Sequence, residues 1–234
     1  MNFKTIIIIP LFNEEENIKF VIDDLNKLDN RFDVLFVNDK STDNTLSKIK
    51  ELSIFPVLQL PSNLGVGGAV QSGFKYAVLN DYDFAIQFDG DGQHIAGEIS
   101  KIMKPLLENN TDVAIGSRFL SPDNKYEGEK KRKIGINYLN FINYILTGIK
   151  ITDITSGFRA YNKKAILYLS ENYPDDYPEP EAIMLFHRRK FRVMEIPVEM
   201  RKRQKGKSSI RGLLTFYYII KVTVAMVISY FQKH

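Results

Sequence analysis

The chain has 234 residues, a formal net charge of +4 and an apolar content of 44%, which is ample for a buried core and excludes general disorder. It contains no cysteine, so disulfides, thiolate catalysis and cysteine-based zinc sites are excluded, and a reducing compartment is favoured. The apolar run at residues 6–9 is interrupted by Pro10 and lacks a cleavage site. We therefore expect a buried strand of a cytoplasmic protein rather than a signal peptide.

Strands and helices alternate regularly through the first half of the chain. Continuous apolar runs predict strands at residues 4–9, 32–37, 55–60, 83–88 and 112–117. Helical periodicity predicts helices at 15–28, 43–52 and 95–109, and another that follows the glycine cluster at 65–68 and ends near residue 79. This alternation predicts an α/β fold, with a Rossmann-like, mostly parallel sheet and helices on both faces.

The second half of the chain is less regular. We expect a polar loop at 118–133, a turn with a short strand at 151–161, a proline-rich acidic segment at 173–180 and a basic loop at 201–209. Between them, the pattern predicts helices at 134–148, 163–169 and 181–189 and a strand at 191–200. The chain is therefore divided into a main domain at 1–209 and a C-terminal helix at 210–234.

Two carboxylates that lie one residue apart, Asp89 and Asp91, follow the fourth predicted strand. Ligands of open α/β sheets bind outside the carboxyl ends of the strands. Paired carboxylates repel each other unless a cation lies between them, and Mg²⁺ or Mn²⁺ prefers oxygen ligands such as these and the amide of Gln93. An acidic surface turn is the alternative, because Asp and Gly are common turn residues.

Acidic or glycine-rich segments also follow the first three predicted strands. Glu14 follows the first strand, Asp39 the second, and the glycines at 65–68 the third. Because parallel strands end at one edge of a sheet, this recurrence favours a ligand site over scattered surface acids. Dinucleotide-binding and P-loop motifs do not fit, since no Gly-x-Gly-x-x-Gly follows the first strand and the Gly-Lys-Ser at 206–208 lacks an upstream glycine.

Five segments together resemble the motifs of one enzyme family. They read PLFNE at 10–14, VNDKSTDNT at 37–45, a glycine-rich stretch at 63–73, DGDGQ at 89–93, and TSGFR at 155–159 with GKSS at 206–209. In this combination the chain resembles the family 2 glycosyltransferases of the GT-A fold, and within them the dolichyl- and polyprenyl-phosphate sugar synthases. Three positions depart from the family pattern, because Phe12 replaces a tyrosine, Asn38 an aspartate and Lys40 a glycine.

The resemblance implies an inverting, metal-dependent glycosyltransferase that uses a nucleoside diphosphate sugar. It implies that residues 1–209 form the catalytic domain and that the following residues bind the donor base, ribose and neighbouring groups: Pro10, Phe12, Glu14, Asp39 and Gly68. The metal, Mg²⁺ or Mn²⁺, would be held by Asp89, Asp91 and Gln93. The resemblance implies that Asp91 is the catalytic metal ligand, whereas Asp89 is expected to contact either the metal or the ribose or sugar.

The residues expected to contact the diphosphate and the acceptor lie in the second half of the chain. The resemblance implies that Arg118, Arg203 and Lys207 contact the diphosphate, and that the loop at 200–209 closes over the donor. A lipid phosphate acceptor is already anionic and needs no general base. The residues then implied to position it are Ser156, Arg159 and the basic run at 130–133.

A saccharide acceptor in cell-wall or capsular polysaccharide synthesis is the alternative. Its hydroxyl would need a general base, for which Asp153 is the catalytic candidate, and a structural ion pair between Asp153 and Arg159 is the competing interpretation. A non-catalytic binding protein or membrane scaffold is disfavoured by the intact motif at 89–93. Nucleic-acid binding is disfavoured because the basic loop lacks interleaved aromatic residues.

The last helix, predicted at 210–231, is largely apolar and carries Lys221 near its centre. A membrane-spanning helix tolerates a central lysine poorly. We therefore expect an interfacial helix that binds an anionic membrane surface or a small membrane protein, and a protein attached peripherally to the inner face of the membrane. A core or dimer helix is the alternative.

Overall fold

A computed structural model describes residues 3–29, 31–120, 130–202 and 213–232. A single sheet of seven strands lies at its centre, in the order β3-β2-β1-β4-β6-β5-β7. The strands are β1 (Thr5–Leu11), β2 (Phe32–Asn38), β3 (Val57–Gln59), β4 (Phe84–Gln87), β5 (Val113–Ser117), β6 (Arg159–Asn162) and β7 (Val193–Pro197). Each predicted strand therefore exists, with ends that differ from the prediction by a few residues.

Eight α-helices cover the sheet within the described residues. They are α1 (Ile18–Leu25), α2 (Thr45–Leu52), α3 (Gly65–Leu79), α4 (Ile99–Leu107), α5 (Lys130–Thr147), α6 (Lys163–Asn172), α7 (Pro178–Arg188) and α8 (Leu213–Phe231). A short 3₁₀ turn, Ala96–Glu98, precedes α4.

The sheet is mostly parallel, as the strand–helix alternation predicts. β1 is parallel to both of its neighbours, so that Ile7 is paired with Val34 of β2 and with Ile86 of β4. β6 is the exception, because it runs antiparallel to β4 on one side and to β5 on the other. This reversed strand brings a segment from the second half of the chain next to the loop that follows β4.

Both faces of the sheet are buried. Successive side chains of a strand point to opposite faces, so Ile6 and Ile8 of β1 enter one core while Ile7 and Ile9 enter the other. Helices α3, α6, α7 and α8 contribute to the first core, and α1 and α4 to the second. The continuous apolar sequence of β1 thus results from its position at the centre of a sheet that is covered twice.

Two helices begin earlier than predicted. Helix α5 begins at Lys130 rather than 134, so it includes the basic run that the sequence placed in a loop; Lys and Arg are good helix formers. Helix α7 begins at Pro178 rather than 181. Proline fits the first turn because the first N–H groups of a helix have no partner within it.

Helix α8 packs on the rest of the structure. Val222 and Met226 are fully buried, and the Ser229 hydroxyl donates to Glu181 of α7 at 2.9 Å. Within the described residues, none of the helices has the length and apolar character needed to cross a bilayer. The boundary near 209, between a catalytic domain and a terminal helix, stays a prediction.

Candidate active site

The loops that follow β1 and β2 are held together by hydrogen bonds between their polar side chains and backbone. Asn13 accepts from the Thr42 backbone at 2.8 Å and its own N–H donates to Ser41 at 3.1 Å. The Glu14 N–H donates to the Thr45 hydroxyl at 2.9 Å. The two predicted motifs at 10–14 and 37–45 therefore form one rigid wall at the carboxyl edge of the sheet.

Asp39 joins this wall to the loop after β3. Its backbone N–H donates to Leu11 at 2.8 Å, and its side-chain Oδ1 accepts from the Leu64 backbone at 2.7 Å. Only 3% of the residue is exposed. Phe12, by contrast, is 47% exposed on the same rim, where a planar ring suits a flat base.

The glycines of the third loop serve close packing. Gly68 is buried in the first turn of α3, where an added Cβ would lie 2.5 Å from Cβ of Leu64. An added Cβ at Gly67 would lie 2.1 Å from the carbonyl oxygen of Pro174. These contacts bring the start of α3 against the segment that leads into α7, and donor binding by Gly68 stays a prediction.

The loop after β4 carries the paired carboxylates. Gly92 adopts a positive φ of 75°, and Oδ1 of Asp91 accepts from the Gln93 backbone at 3.0 Å, so the two acids are presented from a tight turn. Pro10 approaches the same loop, because a Cβ on Gly90 would lie 3.2 Å from the Pro10 carbonyl oxygen. The acidic turn thus lies beside the wall formed by the first two loops.

His94 supports this turn from below. Its Nδ1 accepts from the Asp89 N–H at 2.9 Å, its Nε2 lies 3.5 Å from Oδ2 of Asp89, and its ring stacks on Phe158. Burial lowers the pKa of His94 to about 4, with the Arg118 charge acting in the same direction and the Asp91 and Asp153 charges opposing it. The ring is therefore neutral at pH 7, with its proton on the nitrogen that faces Asp89.

Arg118 and Asp153 form a buried ion pair. The guanidinium makes two bonds of 2.7 Å to the carboxylate, and the Arg118 N–H adds a third at 3.1 Å. Asp153 is fully buried and its own N–H donates to Glu195 at 2.9 Å. The interpretation that Asp153 pairs with Arg159 is wrong, and this geometry leaves Asp153 poorly placed to accept a proton from a substrate.

Arg159 and Ser156 are also internal. Arg159 is fully buried, and its guanidinium donates to the backbone carbonyls of Ser156 at 2.8 Å and Ile154 at 3.0 Å. The Ser156 hydroxyl accepts from the Phe158 N–H at 3.3 Å. The structure does not bring these two side chains to the surface, so their predicted contact with an acceptor phosphate lacks geometric support.

The predicted diphosphate contacts Arg203 and Lys207 lie outside the described residues. The segment that leads to them is fixed beside the acidic turn, because the Arg201 N–H donates to Gln93 at 2.8 Å. The Arg201 guanidinium pairs with Asp24 of α1 at 3.1 Å. Burial alone would raise the pKa of Asp24, but bonds from Arg201, Ala96 and Lys27 outweigh it and lower that pKa.

A family model described as "Glycosyl transferase family 2" matches residues 6–169, which is well over half of the chain. The chain belongs to glycosyl transferase family 2. The resemblance read from the five sequence segments is thereby confirmed, and with it the assignment as a glycosyltransferase.

Full-length relatives in this family carry related names. The chain is 30% identical to "UDP-N-acetylglucosamine--dolichyl-phosphate N-acetylglucosaminyltransferase" of Methanococcus voltae, over 95% of this chain and 97% of the relative. It is 28% identical to "Polyprenol monophosphomannose synthase" of Mycolicibacterium smegmatis, over 89% and 82% of the two chains. It is 26% identical to "Undecaprenyl-phosphate mannosyltransferase" of Micrococcus luteus, over 94% and 93%.

Solved structures confirm the fold class. Glucosyl-3-phosphoglycerate synthase from Mycobacterium tuberculosis, crystallised with Mn²⁺, UDP-glucose and phosphoglyceric acid, superposes with a TM-score of 0.73 at 16% identity, over 99% of this chain and 81% of that one. Mannosyltransferase PcManGT from Pyrobaculum calidifontis, in complex with GDP-mannose and Mn²⁺, has a TM-score of 0.60 at 14% identity, over 97% and 72%. The family 2 chain thus has the GT-A architecture.

The donor set of the acidic turn fits a divalent cation shared with a phosphate. Within the described residues, no three His, Cys, Asp or Glu side chains form a complete metal cage. Asp91 and Asp89 supply two carboxylates, and the Gln93 amide nitrogen contacts the Arg201 carbonyl at 3.4 Å, which leaves the amide oxygen for another partner. Mg²⁺ commonly binds one or two carboxylates and completes its shell with substrate phosphates and water.

The sequence missed two residues of this family 2 site. His94 was left without a role, although it follows Gln93 directly. Gly157 was read only as part of the TSGFR segment, yet a Cβ there would lie 2.6 Å and 2.7 Å from the two Asp89 carboxylate oxygens. The glycine is needed for this close approach, which a sequence signal such as Ser-Gly-Phe cannot reveal without the antiparallel pairing of β4 with β6.

Proposed function

We propose that this enzyme transfers a sugar, with inversion, from a nucleoside diphosphate sugar to a polyprenyl phosphate at a membrane surface. The observation that carries the proposal is the acidic turn of Asp89 and Asp91, which lies beside the wall built by the loops after β1 and β2. Carboxylates that suit a metal and an exposed ring, Phe12, lie at the same edge of the sheet, which supports a nucleotide whose diphosphate binds a cation.

Mg²⁺ or Mn²⁺ fits the donor set of Asp89, Asp91 and Gln93. The structural neighbours were crystallised with Mn²⁺ and UDP-glucose or GDP-mannose, which supports the same class of cofactor here. When bound, such an ion supplies Lewis-acid stabilisation of the charge that develops on the departing nucleoside diphosphate. Asp91 and Asp89 would bind and orient this ion, and His94 holds the Asp89 loop in place.

A lipid phosphate acceptor agrees with the chemistry of the second half of the site. An anionic phosphate oxygen attacks the anomeric carbon without losing a proton, so no general base is needed. Asp153, the candidate base for a saccharide hydroxyl, is fully buried and bonded to Arg118 by two bonds of 2.7 Å. The names of three relatives, which specify dolichyl, polyprenol and undecaprenyl phosphate chemistry, support the same acceptor class.

Helices α5 and α8 together offer a surface for an anionic membrane. They are neighbours, since a Cβ on Gly135 of α5 would lie 2.9 Å from Ile219 of α8. Both expose large apolar side chains, which are Ile134, Phe141 and Ile145 on α5 and Val224, Ile228 and Phe231 on α8. The exposed cations Lys133 and Lys221 accompany them, as interfacial helices require. We expect peripheral attachment to the inner membrane face through this surface.

The test is a donor-by-acceptor screen of the full chain with Mn²⁺. Radiolabelled UDP-N-acetylglucosamine, UDP-glucose and GDP-mannose are each incubated with undecaprenyl phosphate in detergent, and product is extracted into organic solvent. We expect label in the organic phase with one donor, and none after chelation of the metal. Label that stays in the aqueous phase on an added saccharide would replace the lipid acceptor with the alternative, and label on neither would refute the proposal.

Attachment is tested by sedimentation with vesicles that contain anionic lipid. We expect the full chain to sediment with them and the variant Phe141→Asp/Ile228→Asp to remain in solution, because two charges replace exposed apolar contacts. Equal sedimentation of the two proteins would assign α5 and α8 to another partner. The variant Lys19→Asp, on the exposed face of α1, serves as the charge control.

A further inference from the structure

A cluster of polar side chains surrounds Gln87, two residues before Asp89 of the acidic turn. Gln87 at the end of β4 is fully buried, and its Oε1 accepts from the Tyr173 hydroxyl at 2.9 Å and from the Tyr161 hydroxyl at 3.3 Å. Its Nε2 donates to Oε1 of Glu179 at 3.2 Å. The two tyrosine donors fix the orientation of the amide, so that Gln87 holds one oxygen of Glu179 in a defined place.

Glu179 has capacity for a second partner. It lies in the first turn of α7, where the helix N-terminus favours a negative charge, and it is half-buried. Its carboxylate also accepts from its own backbone N–H, and these two bonds leave further acceptor positions on the two carboxylate oxygens. Burial raises the pKa of Glu179, the positive charge of Arg159 opposes this rise and the negative charge of Asp89 adds to it. Glu179 is therefore within electrostatic range of the acidic turn.

Arg159 supplies a fixed positive charge to this cluster. It is paired with Gln87 in the antiparallel register of β4 and β6. Its Nη1 is buried and has no hydrogen-bond partner among the described residues, and no carboxylate lies within ion-pair distance of it. A buried cation without a bonded anion is unfavourable unless neighbouring negative groups compensate it. Glu179 is an acidic group whose pKa the Arg159 charge lowers, so it supplies such compensation.

Glu179 lies close to both the acidic turn and the start of α3. Its partner Gln87 lies two residues before Asp89 in the chain. Gly157 of the segment before β6 lies against the Asp89 carboxylate, and Gly67 of α3 lies against the carbonyl of Pro174, a few residues before Glu179. In the proposed enzyme, the sugar of the donor lies next to the diphosphate and hence near Glu179.

We infer that Glu179 is a specificity-determining residue that accepts a hydrogen bond from a hydroxyl of the transferred sugar. The inference rests on the proposed function, because it takes the acidic turn as the diphosphate site. Gln87 orients the carboxylate, and Arg159 is a positioning residue whose positive charge favours the carboxylate form without touching the sugar. A site that bonds a sugar hydroxyl in this way discriminates against a donor that lacks the hydroxyl, since the half-buried carboxylate then loses one of its hydrogen bonds.

The test compares binding of a nucleoside diphosphate with binding of the corresponding nucleotide sugar. Full-length protein with Mn²⁺ is titrated calorimetrically with UDP and UDP-N-acetylglucosamine, and with GDP and GDP-mannose. For whichever pair binds, we expect Glu179→Gln to weaken the nucleotide sugar about 10- to 100-fold and to leave the nucleoside diphosphate unchanged. Glutamine retains the size of the side chain and a bond to Gln87, so the fold is preserved.

Glu181 provides the matched control. It lies two residues further along α7 and is also half-buried. Its carboxylate accepts from the Ser229 hydroxyl of α8 at 2.9 Å. We expect Glu181→Gln to change neither affinity. Deoxy analogues of the binding donor identify the hydroxyl, because one of them should lose affinity with the natural protein and lose none with Glu179→Gln.

The outcomes separate the inference from the proposed function. An equal loss of nucleotide and nucleotide-sugar affinity in Glu179→Gln, or no loss in either, would overturn the role of Glu179 while the donor class stands. Failure of both UDP and GDP pairs to bind natural protein would overturn the donor class and, with it, the inference. Tyr173→Phe tests indirect effects, since it loosens Gln87 without approaching the sugar, and a loss as large as that of Glu179→Gln would assign the effect to disorder of the cluster.

Discussion

The two halves of the sheet use their polar motif residues in different ways. Around β1, β2 and β4, polar groups fix the loops, and Asp89, Asp91 and Phe12 lie partly exposed at the rim. Around β5 and β6, Arg118 and Asp153 are buried and bonded to each other. The same kind of residue is therefore proposed to bind substrate in one half and holds the backbone in the other. Motif membership alone does not distinguish the two uses.

The largest expected effect is at the rim. Asp91→Ala removes a carboxylate that would bind the metal, so we expect metal-dependent turnover to fall by about 10³-fold or more while the melting temperature changes little. The measurement is initial-rate turnover against Mn²⁺ concentration. Asp23→Ala, an exposed residue of α1, is the control. Activity that survives in Asp91→Ala, with or without a chelator, would contradict the assignment of ligand binding to the first half of the sheet.

Substitutions in the buried pair of Arg118 and Asp153 are expected to lower the free energy of unfolding rather than the metal-dependent turnover. Asp153→Asn leaves the Arg118 charge buried without its partner, which costs on the order of 3–5 kcal/mol of unfolding free energy. Arg118→Met/Asp153→Leu removes both charges and should recover most of that loss. The free energy of unfolding of the natural protein and of the two variants is measured by denaturant titration. If Asp153→Asn unfolds like the natural protein but loses turnover, Asp153 is a base after all.

The burial of His94 predicts that the free energy of unfolding depends on pH. Its pKa is about 4 in the folded chain and 6.5 in a model peptide, so the unfolded chain binds the extra proton between these values. The contribution of His94 to the free energy of unfolding is therefore fully present above pH 6.5. It is lost as the pH falls towards 4, by on the order of 3 kcal/mol. His94→Phe retains a ring to stack on Phe158 and should lose this dependence.

The measurement for His94 is the difference in unfolding free energy between natural protein and variant at several pH values. Taking the difference cancels the carboxyl groups, whose own titrations are common to both proteins. A parallel pH profile for His94→Phe would contradict the assignment.

The smallest effect is expected from Gly157→Ala. The added methyl group would lie 2.6 Å from an Asp89 oxygen, so the carboxylate must rotate away from its place beside the acidic turn. We expect Mn²⁺ affinity and turnover to fall about tenfold, or ~1.4 kcal/mol, with little loss of stability. Gly97→Ala, where no atom lies within 4 Å of the added group, should be neutral. Equal behaviour of the two would show that Asp89 does not need its present orientation.

Sequence reasoning reached the first half of the site and little of the second. The apolar run at Ile6–Ile9 and the acids at Asp89 and Asp91 could be read directly, because strand burial and loop position follow from local pattern. The partner of Asp153 could not, since Arg118 lies 35 residues away and meets it through the reversal of β6. The bond between Gln87 and Glu179 spans 92 residues and has no local signal.

Strand β6 also has a consequence for the order in which the molecule is completed. During synthesis the chain up to β4 can pair β1, β2 and β3 through contacts between strands that are near in sequence. β4 must wait for Arg159–Asn162, more than 70 residues later, to cover its free edge. Until then the edge is open to pairing with other chains, and Asp89 has no Gly157 behind it. The contact of Gly157 with Asp89 and the protection of this edge therefore arise together, once β6 has been synthesised.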